Sequence, residues 1–213
     1  TWSLLFSLSA PVTLAEDAPK ASLPTVAVIT TGGTIAEKTD PKTGGAVPAV
    51  SGKDLVAAVP GLEKVAKLVV ISYSNIDSSH MTPELWAGLS QRVDEVLSNR
   101  KIVGAVVTHG TDTMAAGAFF LDATLKTNKP VVFTGAMNDA SSANPDGPGN
   151  ILNAVIQVTS KNARNWGVTV TLNRYVNSAS EVRKTQTTNP QTFESGEKGY
   201  LGDPGPPGDD GRP

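Results

Sequence analysis

Five short β-branched runs recur along this chain with helical patterns between them, and few architectures accommodate that alternation. The runs are Thr25 to Thr30, Leu68 to Ser72, Ile102 to Thr108, Val131 to Thr134 and Gly167 to Leu172. Their nearly continuous apolar character predicts strands buried on both faces, and helical crossovers predict parallel pairing. The expected fold is an α/β domain with a doubly wound, mainly parallel sheet, whose ligands sit at the C-terminal ends of the strands.

Caps and periods place the helices. Thr82-Pro83 supplies an N-cap with proline at the first helical position, and Leu85, Leu89, Val93, Val96 and Leu97 then trace one apolar face. A second helix is expected from about Asp112 to Leu125, and a third from Pro148 to Val158 after the turn at Asp146-Gly147. Thr39 to Val50 has no period and four Gly or Pro residues, and reads as a mobile loop.

The α/β domain is expected over residues 24–195, between a leader (1–23) and an irregular Gly/Pro-rich tail (196–213). In the leader, the apolar stretch Leu4 to Ala15 ends in Thr13-Leu14-Ala15 and meets the polar Glu16-Asp17-Ala18-Pro19-Lys20, the pattern of a signal peptide. A periplasmic or secreted protein follows. The tail repeats Gly-X-Y through six triplets, too few to sustain a collagen triple helix, and is read as disordered.

Composition narrows the chemistry. A net charge of −2 with both signs dispersed leaves no basic stripe, so neither nucleic acid nor an anionic membrane surface is an expected partner. Cysteine is absent, so any nucleophile is an oxygen or an amine. The only histidines, His80 and His109, lack the company a metal site needs; no metal or cofactor is expected. No Gly-x-Ser-x-Gly elbow accompanies them, and His109 reads as a packed or capping residue.

Two turns carry the candidate chemistry. Thr30-Thr31-Gly32-Gly33-Thr34 follows the first strand, its glycines allowing close backbone approach and leaving the Thr34 hydroxyl at the sheet edge. His109-Gly110-Thr111-Asp112-Thr113-Met114 follows the third strand and opens a helix whose free N–H groups suit an oxyanion. Alone, the first turn equally fits a phosphate cradle, although a P-loop lysine is absent. Asp112 could serve merely as a helix N-terminal charge, and Lys184 as a solvated surface lysine.

With Gly135-Ala136-Met137, Asp146-Gly147-Pro148 and Lys184-Thr185 in this order, the two turns resemble the bacterial type II, periplasmic L-asparaginases, including the glutaminase-asparaginases, over about Pro24 to Phe193. The resemblance implies a flavodoxin-like N-terminal domain acting on a small substrate, asparagine or glutamine, without a cofactor. It implies Thr34 as attacking nucleophile and Thr111, Asp112 and Lys184 as the second catalytic group. Ser78 would hold the substrate's α-carboxylate and Asp112 its α-ammonium, with Ser79 and Ala136 also binding substrate.

The resemblance further implies a homotetramer and a C-terminal domain, before which this chain is expected to stop; little activity is expected of the chain by itself. Family members carry a loop tyrosine that hydrogen-bonds the nucleophile. Residues 35–60 contain none, with Gly45 or Ala46 near its place, so one activating hydrogen bond is expected to be lacking. The alternative is a fragment that binds an amino acid with weak turnover or none.

Overall fold

The protein is described by a computed structural model over residues 22–44 and 46–205. The signal-peptide stretch and the end of the Gly-X-Y run, 206–213, lie outside the described residues. The first strand, β1 (Thr25–Thr30), is followed by a short hairpin of β2 (Glu37–Thr39) and β3 (Ala46–Pro48), then helix α1 (Gly52–Ala57). Next come β4 (Lys67–Ser72), α2 (Pro83–Leu97), β5 (Ile102–Thr108), α3 (Met114–Thr124), β6 (Val131–Thr134), α4 (Gly147–Thr159) and β7 (Val168–Leu172). Two further strands, β8 (Tyr175–Ser178) and β9 (Arg183–Lys184), lead to β10 (Phe193–Glu194).

The main sheet runs β4-β1-β5-β6-β7-β8, with the first five strands parallel and β8 antiparallel. The chain passes from β1 outward to β4, then crosses back over β1 to β5. That reversal opens a crevice between the C-terminal ends of β1 and β5, where an open α/β sheet holds its ligand.

Alternation along the strands divides the core between the two faces. Ala27, Ile29, Ala105, Val107 and Phe133 meet Trp86, Leu89 and Val93 of α2 and Met114, Ala118 and Leu121 of α3. Val26, Val28, Val106 and Val132 face the other way, against Leu55 of α1 and Ile151, Ala154, Val155 and Val158 of α4. Each large side chain buried in this way contributes about 1.5–3 kcal/mol.

The five strand expectations and three helix expectations all match elements, with ends moved by one or two residues. Burial on both faces fails at β4, where Val69 is 41% exposed. This strand pairs on one side only, and α2 crosses above β5 instead of covering it. The stretch read as an unpatterned loop contains half of the β2–β3 hairpin; strands of three residues are too short to register a period. Helix α1, capped by the Ser51 hydroxyl accepting from the Asp54 N–H, escaped notice for the same reason.

The β7–β8 hairpin turns through Asn173 and Arg174, both at positive φ (47° and 67°), without the glycine that usually announces such a turn. Residues 196–205, placed by sequence in the tail, form a 3-10 turn at Gly196–Lys198 and then touch β8. Gly202 bridges Val176, Tyr200 stacks on Tyr175, and Arg174 pairs with Asp203 at 2.9 Å.

Candidate active site

Close backbone packing builds the crevice. Gly32 (φ 108°) and Gly33 (φ 81°) lie in the region that favours glycine. A Cβ on Gly33 would sit 2.3 Å from the Gly110 Cα, and one on Gly110 would sit 2.5 Å from the Ser78 hydroxyl oxygen. The turn after β1, the turn after β5 and the loop after β4 are thereby pressed into one layer. From it Thr34 emerges at the start of a single 3-10 turn, Thr34–Ala36.

A cavity of ≈220 Å³ opens above this layer, lined by Thr34, Ser78, Thr111, Asp112, Ala136 and Lys184 together with Gly33, Asp77, Gly110, Met137 and Thr187. Larger cavities lie elsewhere. One of ≈310 Å³ sits between Thr30 and Ser51, and one of ≈560 Å³ lies at the opposite ends of the strands beside Arg100 and Lys129. The smaller cavity concentrates convergent hydroxyl, carboxylate and ammonium groups, the character expected of a reactive site.

Lys184 reaches in from β9, whose pairing of Lys184 with the fully buried Phe193 of β10 anchors it to the core. Its Nζ donates to the Thr111 hydroxyl at 2.9 Å and to the Asp112 carboxylate at 2.6 Å. The lysine side chain is 17% exposed and its aspartate partner 69%, so the pair spans the boundary between crevice and solvent. A merely solvated surface lysine is thus excluded.

Asp77 caps its own 3-10 turn, Ser78–His80, by accepting from the Ser79 N–H at 2.8 Å and the Ser79 hydroxyl at 2.5 Å. These bonds hold its carboxyl below the usual carboxylate range. Ser78 is buried at the cavity wall; Ser79, read as a substrate binder, is exposed, turned toward Asp77 and does not line the cavity. The reason is local, because an aspartate at the N-cap captures the hydroxyl two residues on.

His109 is 1% exposed, edge-on to the rings of Trp86 and Phe133. Its Nδ1 lies 2.5 Å from the Thr31 hydroxyl and its Nε2 3.0 Å from that of Thr113, which itself reaches the Ser78 carbonyl at 3.0 Å. Burial pushes its pKa down to about 4, against the pull of the Asp77 carboxylate. A neutral imidazole has one proton, so one nitrogen donates to its threonine while the other accepts. The packed role expected from sequence is what the structure has; His80 is exposed and outside the cavity.

Residues 25–206 match the N-terminal domain of asparaginases. The chain belongs to the asparaginase family. L-asparaginase 2 of Escherichia coli strain K12 is 40% identical over 183 residues, 85% of this chain and 52% of that relative. A probable periplasmic L-asparaginase of Haemophilus influenzae is 38% identical over 93% of this chain and 55% of its own length. The crystal structure of a probable cytoplasmic L-asparaginase from Campylobacter jejuni superposes with a TM-score of 0.80 at 39% identity, covering 84% of this chain and 55% of that one. The asparaginase-family chain thus spans about half the length of the curated relatives it matches, and its α/β architecture is theirs.

Within this asparaginase fold, four residues at or beside the site went unread in the sequence. Asp77 and Thr187 line the cavity, and Asp77 could have been found as the N-cap of Asp77-Ser78-Ser79. Asp146, read only as a turn residue, accepts from the Met137 and Asn138 N–H groups at 2.9–3.1 Å and so shapes the wall at Ala136. Glu37 is the fourth. It is buried at 6% exposure, and burial together with the carboxylates of Asp77 and Asp139 raises its carboxyl above the ordinary range. No tyrosine stands in residues 35–60, as expected; Gly45 lies outside the described residues and Ala46 begins β3.

Proposed function

We propose that this crevice hydrolyses the side-chain amide of L-asparagine to aspartate and ammonia, through an acyl-enzyme on Thr34. The observation that carries the reading is the convergence of Thr34, Thr111 and Lys184 on one cavity, with Lys184 donating to both Thr111 and Asp112. The curated names of its relatives, L-asparaginase, support the substrate class.

The Thr34 oxygen attacks the amide carbon, and the carbonyl electron pair moves onto oxygen, where backbone N–H groups near Thr111 hold it. Collapse breaks the C–N bond and releases ammonia once the nitrogen has gained a proton. Water then opens the ester, freeing aspartate and restoring the threonine hydroxyl. Thr111 and Lys184 act as the second proton-handling group, Ser78 takes the substrate's α-carboxylate, and Asp112 its α-ammonium. Ala136 bounds the pocket beside the reacting amide.

Glutamine is one methylene longer, a difference worth only ~1–3 kcal/mol in such a pocket, so kcat/KM on both amides ranks them. The homotetramer implied by the resemblance belongs to this reading, supported by the apolar exposure of Val69, Phe119 and Leu201. Export to the periplasm is supported by the Leu4 to Ala15 stretch and the name of the Haemophilus relative, while the Campylobacter neighbour is named cytoplasmic.

Ammonia release from L-asparagine, with mass-spectrometric capture of an aspartyl ester, is the direct test. Thr34→Ala abolishes both, and Thr111→Val lowers kcat about a hundredfold or more. Aspartate binding by calorimetry with no ammonia and no ester would favour the binding-only alternative.

A further inference from the structure

We propose that Thr113 is a positioning residue for substrate recognition: its bond to the Ser78 carbonyl fixes the Ser78 hydroxyl where the substrate's α-carboxylate docks. The inference rests on the reading of Ser78 as the carboxylate binder. Thr113 is the N-cap of α3, a place where a threonine hydroxyl ordinarily accepts from the first N–H groups of its own helix, yet its side chain makes no such cap. Thr82, which does cap α2, has the extended backbone of a capping residue (ψ 163°), whereas Thr113 has ψ 8°. The freed hydroxyl donates instead to the Ser78 carbonyl at 3.0 Å, in the loop after β4.

Ser78 is buried at 3% exposure and lines the cavity, and its hydroxyl has no hydrogen-bond partner among the described residues. Such a hydroxyl is available to a ligand, and the backbone behind it decides where it stands. The 3-10 turn Ser78–His80 is held from within by the Asp77 carboxylate, which accepts the Ser79 N–H at 2.8 Å, and by the Ser78 carbonyl, which accepts the Met81 N–H at 3.2 Å. Thr113 ties that turn to α3. A Cβ on Gly110 would lie 2.5 Å from the Ser78 Oγ and 2.6 Å from its Cβ, so the Ser78 side chain rests directly on the turn that carries Thr111 and Asp112.

The buried imidazole of His109 decides whether Thr113 can spend its proton in this way. Thr113 has one hydroxyl proton and two neighbours able to take it, the Ser78 carbonyl and the His109 Nε2, each at 3.0 Å. With the ring proton on Nδ1, Nε2 is a bare acceptor and draws the Thr113 proton away from Ser78. With it on Nε2, the ring donates to Thr113, Thr113 donates to Ser78, and the Thr31 hydroxyl donates to Nδ1.

The distances favour the second arrangement. Thr31 Oγ1 lies 2.5 Å from Nδ1, a length within the range of hydroxyl donors, while 3.0 Å at Nε2 is an ordinary N–H···O length. The Thr108 carbonyl, also within reach of the Thr31 hydroxyl, already accepts the Thr31 N–H at 3.1 Å. One directed chain of bonds thus runs from Thr31 through His109 and Thr113 to Ser78, joining the turns after β1 and β5 to the loop after β4.

The experiment compares the unmodified chain with Thr113→Val, which keeps the side-chain shape and removes the bond, Thr113→Ser, which keeps the bond, and Ser78→Ala. Because the Thr113 hydroxyl does not cap α3, its loss leaves the helix's own hydrogen bonds in place, and urea unfolding verifies that each variant is folded. Aspartate and β-alanine, which is aspartate without its α-carboxylate, are titrated by calorimetry, and asparagine hydrolysis is followed beside them. Proton–nitrogen correlation NMR of the unmodified chain locates the imidazole proton.

The unmodified chain is expected to prefer aspartate and to hold the ring proton on Nε2. Thr113→Val is expected to weaken aspartate about tenfold and β-alanine by less than about twofold, and to raise KM for asparagine about tenfold with kcat within about threefold. Thr113→Ser is expected to restore aspartate affinity. Equal weakening of both ligands would reduce Thr113 to a structural tie and overturn the proposal, as would unchanged aspartate affinity in Thr113→Val or a ring proton on Nδ1. If Thr113→Val does not fold, the ring proton decides: Nε2 supports the proposal and Nδ1 overturns it. An unmodified chain that binds aspartate no more tightly than β-alanine, or Ser78→Ala with unchanged aspartate affinity, defeats the reading of Ser78 first, and the role of Thr113 falls with it.

Discussion

Replacing His109 with asparagine should remove a pH dependence of stability that the buried ring imposes. The imidazole pKa is about 4 in the folded protein against 6.5 for the ordinary side chain, a difference of about 2.5 units. Each unit corresponds to 1.36 kcal/mol, so the ring contributes about 3 kcal/mol of pH-dependent stability. The sign follows from the depressed value: the unfolded chain binds the proton more tightly. The contribution is therefore fully present above pH 6.5 and is lost as pH falls toward 4. Glu37, with its raised pKa, works in the opposite direction, so only the difference between parent and His109→Asn isolates the histidine. Urea unfolding from pH 7.5 to 4 should show a gap between the two chains that shrinks by about 3 kcal/mol. NMR of the imidazole should show no titration until about pH 4. Parallel stability curves, or an imidazole titrating near 6.5, would refute the account of a neutral ring locked between Thr31 and Thr113.

Other expectations test the packing that shapes the crevice. Gly33→Ala forces a Cβ to 2.3 Å from the Gly110 Cα at a φ of 81°, both backbone constraints, and should destabilise the fold by more than about 2 kcal/mol and distort the Thr34 turn, measurable as a fall in urea midpoint. Gly117→Ala drives a methyl to 2.1 Å from the Trp86 ring between α2 and α3, and a loss of about 1–3 kcal/mol is expected. The Thr108 hydroxyl is fully buried with no hydrogen-bond partner, so Thr108→Val should leave thermal stability unchanged or raise it by about 1 kcal/mol.

Local information was sufficient for most of the frame. Continuous apolar runs produce strands wherever both sheet faces are covered, and Thr82-Pro83 starts α2 because its hydroxyl caps the Leu85 N–H. The Gly-Gly-Thr and His-Gly-Thr-Asp turns were legible because each follows directly from the end of a strand. What the sequence left silent is made from pairings between short or distant segments. The β8 strand, the β9–β10 pair and the β2–β3 hairpin contain two to four residues each, too few to display a period.

The site divides in the same way. The strand-end turns drew attention to Thr34 and Thr111, whose roles came from the family resemblance, but the contact of Lys184 with Thr111 joins positions 73 residues apart. The place of Ser79 was equally a matter of the fold: its hydroxyl donates to the neighbouring Asp77, outside the cavity lining. Glu37 carries no motif, and its raised proton affinity comes from the burial that folding imposes and from the carboxylates of Asp77 and Asp139. Side-chain type and strand order are written along the chain. Proton affinity depends on which carboxylates and which layers of backbone surround a group, and only folding brings those together.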